Sequence, residues 1–445
     1  MTKTTGETKG KTDIFENIYA LSKRRGFIYP GSEIYGGLAG TWDYGPLGAE
    51  LKRNLKNEFW KFAVWERDDV VGLDASIIMN PKVWEASGHL ESFSDPLAEC
   101  KKCHHRFRAD KIKENKCPDC GGELTKAKKF NLMVETYLGV IEDEKQKTYL
   151  RGEITQGVHV NFKNIVSSTR VKLPFGVAQV GKAFRNEITP GQFTFRSREF
   201  EQMEIQFYTK PDADISMEWF EYWKKERMNW YVSLGMKERN LRFHKHGKDE
   251  LAHYAKAAFD IEYNAGGEWK EMEGIHNRGD WDLRRHGEYS KTDMAYFDEE
   301  TKEKFLPWII ETSGGVDRAA LFFLIDAFFE EKTGDREFRI VLKLHPKLAP
   351  YKAAVFPLLA NKPELVKLAR SIYKDLKKEW MVAWDERGNI GKRYRAQDEA
   401  GTPFCVTVDF DSLEKNDITV RDRDTMKQER IKIGELKEWM KEKLQ

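Results

Sequence analysis

Two pairs of cysteines have the residue types and the spacing of a metal site. Four of the five cysteines in the chain form two Cys-x-x-Cys units: Cys100, Cys103, Cys117 and Cys120. Such units let four thiolates converge tetrahedrally on one zinc ion. Because four sulfur ligands leave no coordination position for water, we expect a structural zinc rather than a catalytic one. Free cysteines and two redox-active pairs are the alternatives, but a small module without its own core favours folding around a metal.

A candidate anion site lies in residues 180–208, where two runs with period-two alternation flank a Gly/Pro turn. This pattern predicts a β-hairpin with a long loop. Arg185 and Glu187 share one face of its first strand. The polar face of its second strand carries Phe200, Gln202 and Glu204. A solvated face would account for these polar residues equally well.

A third predicted strand favours a binding site over a solvated face. Glu311 and Ser313 alternate there with apolar residues, and an apolar helix follows. Arg318 lies in the first turn of that helix, where the helix dipole disfavours a cation, so we expect this arginine to bind an anion. Two arginines and an aromatic side chain in one cleft suit a nucleoside triphosphate. The chain has no Walker loop, kinase Gly-rich loop or G-x-G-x-x-G after a strand, so an antiparallel sheet must bind ATP differently.

The composition is that of a globular protein. The chain has 445 residues, a formal charge of +2, 33% charged residues and 40% hydrophobic residues, which excludes a disordered, collagen-like or wholly basic chain. This composition does not exclude a local basic face that binds nucleic acid. No apolar run approaches the roughly 20 residues of a membrane span, and the start of the chain has no secretory signal. The clustered cysteines fit the reducing cytosol.

The pattern along the chain predicts a tail, two larger units and an insertion. Residues 1–12 are expected to be a mobile tail, followed by a helix with Asp13 as cap and Gly26 as stop. Residues 49–62 have helical spacing, and residues 99–129 form an inserted module with ten Lys/Arg against five Asp/Glu. Its charge makes RNA contact plausible, although a charge run is usually a solvated face.

The remaining elements predict an antiparallel sheet and a separate C-terminal domain. Residues 148–209, 259–264 and 305–313 are expected to be strands, with a helix that ends at Gly235 between the first two. A buried helix is expected over residues 314–334. After a polar linker, strands alternate with a helix capped by Asn361, which predicts an α/β domain.

Several of these segments resemble class II aminoacyl-tRNA synthetases. The resemblance rests on FRNE at residues 184–187, RSREFEQ at 196–202 and GGVDR at 314–318, which are similar to motifs 2 and 3 of that class. Within that class, the resemblance is most specific to the homodimeric glycyl-tRNA synthetases. It rests on the segments WDYGPLGAELKRNLKNEFW, RGEITQG, FEQMEIQFY and IETSGGVDR. The segment GKRYRAQDEAGTPFCVTVD resembles the anticodon-binding domain of the glycyl, threonyl, prolyl and histidyl enzymes.

This resemblance implies a fold and a reaction. The fold would be α+β, with the class II antiparallel sheet and flanking helices over 13–335, a zinc-ribbon-like insertion at 99–129 and a C-terminal α/β anticodon-binding domain at 336–445. The reaction would be ATP-dependent activation of glycine to glycyl-adenylate, followed by transfer to the 3' end of tRNA(Gly), with release of AMP and pyrophosphate. The implied cofactors are ATP, Mg²⁺ and structural Zn²⁺, in a cytoplasmic homodimer without membrane contact.

The resemblance also implies roles for individual residues in ATP binding. Arg185 would hold the α-phosphate, Arg318 the γ-phosphate, and both are the implied catalytic residues. Glu187 would accept from the adenine amino group, Phe200 would stack on adenine, and Glu271 would help to bind Mg²⁺. The full implied ATP set is Arg185, Asn186, Glu187, Phe195, Arg196, Ser197, Arg198, Glu199, Phe200, Glu271, Met272, Gly315, Val316, Asp317 and Arg318, with Arg196 or Arg198 on the outer phosphates.

A pocket for glycine would be formed by Glu153, Glu204, Glu311 and Ser313. The wider implied set is Arg108, Glu153, Phe200, Glu201, Gln202, Met203, Glu204, Glu311, Thr312, Ser313, Gly314 and Gly315. Because one methylene is worth only about 1 to 3 kcal/mol of contact, selection of the smallest amino acid must work by exclusion, and no editing domain is expected. The anticodon would be read in the C-terminal domain, where Arg393, Arg395, Arg421 and Arg423 are the candidates.

Three other functions compete with this one. A class II synthetase for proline, serine or threonine would share the fold and differ in the pocket. A synthetase-like protein that binds nucleic acid without catalysis would usually lack the motif arginines, which are present here. A zinc-dependent RNA-binding protein would leave residues 130–330 unexplained.

Overall fold

A computed structural model describes residues 14–112, 115–141, 145–188, 190–191, 193–247, 255–333 and 338–444. The expected tail at 1–12 and the proposed cap Asp13 lie outside these residues. The helices are α1 Ile14–Arg25, α2 Pro46–Trp60, α3 Lys82–Ala86, α4 His89–Ser92, α5 Thr155–Val160, α6 Phe162–Thr169, α7 Ala213–Ser233, α8 Trp281–Ser290, α9 Val316–Ala327, α10 Pro363–Leu376, α11 Ile390–Ala400, α12 Phe410–Lys415 and α13 Leu436–Lys443.

The strands contain most of the residues with predicted chemistry. They are β1 Ile28–Pro30, β2 Trp42–Tyr44, β3 Val70–Gly72, β4 Ser94–Glu99, β5 Arg106–Arg108, β6 Lys128–Asn131, β7 Val134–Leu138, β8 Gln146–Leu150, β9 Phe175–Phe184, β10 Glu199–Thr209, β11 Leu241–Lys245, β12 Ala257–Ala265, β13 Glu268–Gly279, β14 Tyr296–Phe297, β15 Lys304–Phe305, β16 Trp308–Gly315, β17 Phe328–Lys332, β18 Phe338–Leu342, β19 Ala353–Pro357, β20 Val382–Trp384, β21 Phe404–Val408, β22 Asp417–Asp422 and β23 Gln428–Lys432.

A seven-stranded sheet forms the centre of the larger unit, in the order β11-β12-β13-β16-β10-β9-β3. Its strands pair antiparallel, except that β3 runs parallel to β9. Alternation places Met203, Ile205 and Phe207 of β10 in the main apolar core, with α1, α2, α7 and α9 contributing the other core residues. The opposite face of the sheet keeps its polar side chains and forms the site.

Two helices replace part of the expected sheet. Residues 148–209 were predicted to be strands throughout, but α5 and α6 lie within that segment. The prediction failed because Val158, Phe162 and Ile165 bury one helical face in a separate apolar cluster, and short apolar runs do not distinguish strand from helix. The hairpin of β9 and β10 is confirmed, although β9 ends at Phe184, just before Arg185.

The expected helix over 314–334 is shorter than predicted. The helix α9 is almost wholly buried and ends at Ala327, and the next residues form β17, which pairs with β18. The linker therefore joins the two strands of a hairpin, with residues 334–337 outside the described part. The proposed domain boundary at 335/336 lies outside the described residues, between the paired strands β17 and β18 along the chain.

The inserted module is a three-stranded sheet in the order β5-β4-β6. Its strands begin at Ser94 and end at Asn131, so it extends past both expected limits. The buried cluster at its centre consists of Ala98, Cys100, Cys117 and Leu124. Two of these four residues are cysteines, which agrees with the low apolar content of the segment.

The C-terminal domain has its own core and a five-stranded sheet in the order β20-β19-β21-β22-β23. The strand β19 is parallel to both of its neighbours, and the other pairs are antiparallel. The helix α10 is present, but its N-cap is Lys362 rather than the expected Asn361. Across the described residues, no helix is both long and apolar enough to cross a membrane. The α+β fold class is confirmed.

Candidate active site

A cleft lies over the end of the β9–β10 hairpin and the start of α9. Its lining residues are Arg185, Glu187, Thr194, Phe195, Arg196, Ser197, Phe200, Glu201, Gln202, Glu271, Met272, Ser313, Gly315, Asp317 and Arg318. The cleft therefore brings together both predicted arginines and the predicted aromatic side chain. The strands β10, β13 and β16 supply most of its floor because they are neighbours in the sheet.

Arg185 is held at one side of the cleft. Its Nε donates to the carbonyl oxygen of Gly152 at 3.0 Å, and its guanidinium lies 5.2 Å from the ring centre of Phe200. Burial lowers the pKa of Arg185, but a guanidinium keeps its proton at any physiological pH. A fixed positive charge next to a flat aromatic face suits a phosphate beside a stacked base.

Arg318 is held at the other side. Its Nη1 lies 2.9 Å from Oε1 of Glu271, its Nε donates to the carbonyl oxygen of Phe195 at 3.2 Å, and its guanidinium lies 4.7 Å from the Phe195 ring centre. The charge of Arg318 lowers the pKa of Glu271. This pair places a carboxylate and a guanidinium side by side in the lining of the cleft.

The loop arginines Arg196 and Arg198 have different positions. Arg198 donates to the carbonyl oxygens of Ala39 at 3.0 Å and Glu187 at 3.4 Å, so it fixes the loop. Arg196 lines the cleft, with its Nε 3.9 Å from Oε2 of Glu187. Of the two arginines, Arg196 is therefore the one that faces a ligand in the cleft.

Next to this cleft the sheet carries a buried carboxylate pocket. Glu204 on β10 is opposite Ser313 on β16, and Glu311 on β16 lies between Gln206 on β10 and His276 on β13. Glu204 and Glu311 are 0% and 3% exposed. The register of three strands thus brings together side chains that are far apart in sequence.

The carboxylates of this pocket share their hydrogen-bond partners. Oγ1 of Thr155 lies 2.9 Å from Oε2 of Glu204 and 3.2 Å from Oε2 of Glu311. Gln206 donates to Glu311 at 2.8 Å, and Nη1 of Arg278 lies 3.1 Å from both oxygens of Glu311. Glu311 therefore has a guanidinium and an amide as donors, whereas the hydrogen-bond partners of Glu204 are the hydroxyl groups of Thr155 and Ser313.

Glu153 joins the pocket from the residues before α5. Its Oε1 accepts from Nε2 of Gln156 at 3.0 Å and lies 3.3 Å from Nε2 of His89. Gln156 also donates to Asp282 at 3.0 Å, and Asp282 pairs with Arg278. A continuous polar network therefore supports the pocket from behind.

The three glutamates differ in acidity because their surroundings differ. Burial, with the neighbouring charges of Glu311 and Glu153, raises the pKa of Glu204 well above its ordinary value. Although burial alone would raise the pKa of Glu311, Arg278 and His276 lower it below its usual range. Burial also opposes ionisation of Glu153, but His89 lowers its pKa to about 2.

Some predicted site residues face away from both the cleft and the pocket. The side chains of Met203 and Val316 lie in the apolar core, and Thr312 is paired in register with core residues Ile205 and Ile275. The predicted ATP residues that are absent from the cleft lining, within the described part of the chain, are Asn186, Arg198, Glu199 and Val316. Strand alternation explains Met203 and Thr312, which lie on the core side of β10 and β16, whereas Asn186 and Arg198 lie outside the strands and Val316 begins α9.

Two further predicted residues stabilise the frame of the cleft. Asp317 accepts from the backbone N–H of Glu201 at 2.6 Å and pairs with Lys52 of α2 at 2.8 Å. Glu201 pairs with Lys52 and Lys56 at 2.7 and 2.8 Å. These contacts attach α2 to the hairpin beneath the cleft.

Arg108, the candidate from the inserted module, lies in a groove that also contains Arg196 and Phe195. Its guanidinium pairs with Asp95 and Asp110 at 2.9 and 2.8 Å. The structure therefore places Arg108 beside the cleft, where its ion pairs with Asp95 and Asp110 join it to the module rather than to the glutamates of the pocket.

Sequence analysis missed several residues of the pocket. They are Thr155, Gln156, Gln206, His276, Arg278 and Asp282. Gln206 could have been found, because Gln202, Glu204 and Gln206 repeat with a period of two on β10. The others come from helices and from β13, and their approach to the glutamates depends on tertiary packing.

Comparison with known proteins bears on this arrangement. Residues 137–326 match the family described as "tRNA synthetase class II core domain (G, H, P, S and T)". The chain is 54% identical over 431 residues to the glycine–tRNA ligase of Treponema denticola, with 95% of each protein covered. It is 52% identical over 458 residues to that of Geobacillus kaustophilus, covering 96% of this chain and 98% of the relative. The chain belongs to the glycine–tRNA ligase family.

The C-terminal domain agrees with this membership. Residues 352–443 match the family described as "Anticodon binding domain". The glycine–tRNA ligase of Thermobifida fusca is 50% identical over 459 residues, covering 98% of this chain and 99% of the relative. The expected family, fold class and reaction class are therefore confirmed.

The arginines expected to read the anticodon are largely structural in this family member. Arg393 is 2% exposed and donates to the carbonyl oxygens of Pro357 and Gly388 at 2.5 and 2.8 Å. Arg421 pairs with Asp398 at 2.8 Å, and Arg423 is 2% exposed. Only Arg395 of the four is exposed. Buried guanidiniums that stabilise the domain are not available to an RNA.

The four cysteines of the module converge as the spacing predicted. Their Sγ atoms all lie within 4.8 Å of one another, with Cys100 3.5 Å from Cys120 and Cys103 3.6 Å from Cys117. Four sulfurs at about 2.3 Å from a zinc ion would be about 3.8 Å apart, so the cluster fits this metal. The backbone N–H groups of Cys103 and Lys102 lower the pKa of Cys100 to about 6, whereas burial and the neighbouring thiols raise the pKa values of Cys103 and Cys120.

Proposed function

We propose that this chain catalyses the glycine–tRNA ligase reaction in the cleft and pocket described above. Glycine would be activated by ATP to glycyl-adenylate, and the glycyl group would then pass to the terminal ribose of tRNA(Gly). The observation that carries this assignment is the position of two buried glutamates on the sheet, Glu204 and Glu311, with Glu153 joining them from the residues before α5, beside a cleft lined by Arg185 and Arg318. Such a pocket offers negative charge to an ammonium group and little space for a side chain.

The cleft residues suit adenylate formation. Attack of the glycine carboxylate on the α-phosphorus of ATP displaces pyrophosphate. Arg185 would stabilise the negative charge that builds up at the α-phosphate, and Arg318 would stabilise the charge on the outer phosphates. Glu187 and Phe200 hold the adenine, and Arg196 holds an outer phosphate. No side chain has to act as acid or base, because positioning and charge account for catalysis.

Glu271 is the residue that would hold Mg²⁺. A carboxylate oxygen is the kind of ligand that Mg²⁺ takes together with phosphate oxygens, and Glu271 lines the cleft beside Arg318. When bound, the ion would neutralise charge on the outer phosphates. Glu271 and Arg318 together orient the phosphate chain.

The pocket selects glycine by exclusion. The ammonium group would be held by Glu153, Glu204 and Glu311, and Ser313 would lie beside it. A β-carbon on the amino acid would have to displace one of these side chains or separate it from its buried partners, which are costly to leave unpaired. Alanine is therefore rejected without an editing step.

The cysteine cluster would hold a structural zinc ion. All four ligands come from the protein, which leaves no position for a substrate. The zinc would fix the module beside the nucleotide cleft, where Arg108 and Arg196 line a common groove.

The chain would act as a homodimer that binds tRNA through its C-terminal domain. Large apolar side chains are exposed in the loop before α2: Ile34, Tyr35 and Leu38 are 88%, 86% and 59% exposed. A second copy of the chain covering this loop would remove that apolar surface from water. Sedimentation at micromolar concentration, compared with an Ile34→Asp variant, tests the dimer.

Exchange of pyrophosphate into ATP, measured with each amino acid separately and without tRNA, tests the reaction. Exchange with glycine alone is the expected result. Exchange with proline, serine or threonine would keep the fold and overturn the pocket assignment. The absence of exchange with every amino acid, in protein that still binds ATP, would indicate a non-catalytic synthetase-like protein.

A further inference from the structure

The contacts of Thr155 raise a question of proton counting. A threonine hydroxyl has a single hydrogen, yet Oγ1 lies within hydrogen-bond distance of a carboxylate oxygen of Glu204 and one of Glu311, at 2.9 and 3.2 Å. It can donate to only one of them. If both carboxylates were ionised, the other contact would join two lone pairs.

One proton removes this conflict. A protonated Glu204 can donate through Oε2 to Thr155, which then donates to Glu311. Glu311 is the better site for the negative charge, because Gln206 and Arg278 also donate to it. Each of the three oxygen atoms then has a hydrogen-bond partner: Oε2 of Glu204, Oγ1 of Thr155 and Oε2 of Glu311.

The other oxygen of Glu204 points to the ligand. Among the residues that the structure describes, Oε1 of Glu204 is buried without a hydrogen-bond partner. Buried polar atoms are normally paired, so an unpaired one in a binding pocket marks a contact that the ligand completes. An ammonium group supplies the missing donor.

We propose that the ligand-free pocket holds one proton on Glu204, stabilised through the Thr155 hydroxyl, and that glycine binding releases this proton to solvent. This inference rests on the proposed binding of glycine in the pocket. Thr155 is a positioning residue: it joins Glu204 to Glu311 and spaces the two carboxylates. Glycine enters with its ammonium group already charged, so the proton that leaves is the one from Glu204.

The surrounding charges agree with this proton balance. The titratable and charged groups that face the two carboxylates are Arg151, Glu153, His159, His276, Arg278 and Asp282. Burial lowers the pKa of His159, so this ring is neutral. Arg278 is shared between Glu311 and Asp282. Loss of the proton leaves Glu204 negatively charged, and the arriving ammonium group balances that charge, so the net charge of the pocket stays the same when glycine binds.

Calorimetry of glycine binding in two buffers with different ionisation enthalpies tests the inference. Near neutral pH, the wild-type protein should release about one proton for each glycine bound. In Glu204→Gln, whose amide replaces the protonated acid, this release should disappear. Release of no proton by the wild type, or equal release by Glu204→Gln, would overturn the inference.

Two substitutions test Thr155 itself. Thr155→Val keeps the shape and removes the hydroxyl, so the dissociation constant for glycine should rise about tenfold with ATP binding unchanged. Thr155→Ser keeps the hydroxyl, and it should retain proton release and near-normal affinity. If Thr155→Val and the wild type have equal affinity for glycine and equal proton release, the proposed role of the Thr155 hydroxyl in linking Glu204 to Glu311 is refuted.

A matched control separates loss of the hydrogen-bonded link through Thr155 from a general loss of stability. Thr402 is fully buried in the C-terminal domain and donates to Gln397 at 2.6 Å, so Thr402→Val removes a comparable hydrogen bond elsewhere. It should leave proton release unchanged. If Thr155→Val does not fold, the Glu204→Gln measurement still decides. If the wild-type protein neither binds glycine nor catalyses glycine-dependent pyrophosphate exchange, the proposed function is refuted. That outcome is distinct from a failure of the proposed proton on Glu204.

Discussion

The carboxylate pocket and the cysteine cluster bring their functional groups together by opposite means. In the pocket, Glu204 and Glu311 lie on adjacent strands of a seven-stranded sheet, and register alone makes them neighbours. In the module, Cys100 and Cys117 make up half of the buried cluster. The fold creates the pocket, whereas the core of the module consists largely of its candidate metal ligands.

Removal of zinc should have the largest effect and should be confined to the module. Apparent zinc binding to small four-ligand sites is worth about 10 kcal/mol, far more than the few apolar contacts of this module. We expect amide protection in β4, β5 and β6 to be lost after chelation while β10 and β16 stay protected, as measured by hydrogen exchange. Unchanged protection of β4 would show that the module folds without metal.

Truncation of Glu204 should damage the pocket and leave the module intact. Glu204→Ala removes a buried ligand of the ammonium group and a partner of Thr155 and Ser313, which should raise the KM for glycine about 100-fold, or about 3 kcal/mol, with the KM for ATP unchanged. Glu221→Ala, at an exposed residue of α7, serves as control. An unchanged KM for glycine in Glu204→Ala would refute the pocket assignment.

The stability of the pocket should depend on pH through Glu204. Because its pKa is raised on folding, the folded state holds a proton that the unfolded state loses above about pH 4.3. Stability should therefore fall as pH rises between the unfolded and folded pKa values, by about 1.4 kcal/mol per pH unit from this group. Glu204→Gln should lack that contribution in urea unfolding between about pH 5 and 8. Parallel curves for the two proteins would contradict the prediction.

A methyl group beside the cysteines should have the smallest effect. A Cβ on Gly122 would lie 2.9 Å from Sγ of Cys100 and 3.3 Å from Sγ of Cys120. We expect Gly122→Ala to weaken the free energy of zinc binding by about 1 kcal/mol. This corresponds to a roughly fivefold loss of zinc affinity, measured in competition with a chelator. Gly434→Ala, where a Cβ would have no neighbour within 4 Å, is the control. Equal affinities would show that the module adjusts without cost.

The two regions also differ in how well they could be predicted. The cysteine cluster followed from spacing, because its ligands come in pairs from short turns. The polar face of β10 followed from alternation. Helices α5 and α6 could not be predicted from the sequence, since their apolar residues had no periodicity that excluded strands. The buried arginines Arg393, Arg421 and Arg423 were proposed as candidates to read the anticodon because charge alone does not reveal burial.

The sequence by itself determined the four candidate metal ligands, the two arginines of the cleft, the glutamates and the family. Each of these depends on residue type at short spacing, or on motifs that are contiguous in the chain. Only the tertiary structure decided which residues complete the pocket. Thr155, His276 and Arg278 reach the glutamates from a helix and a neighbouring strand. Their contacts depend on strand register and helix packing, which bring together residues that are widely separated along the chain.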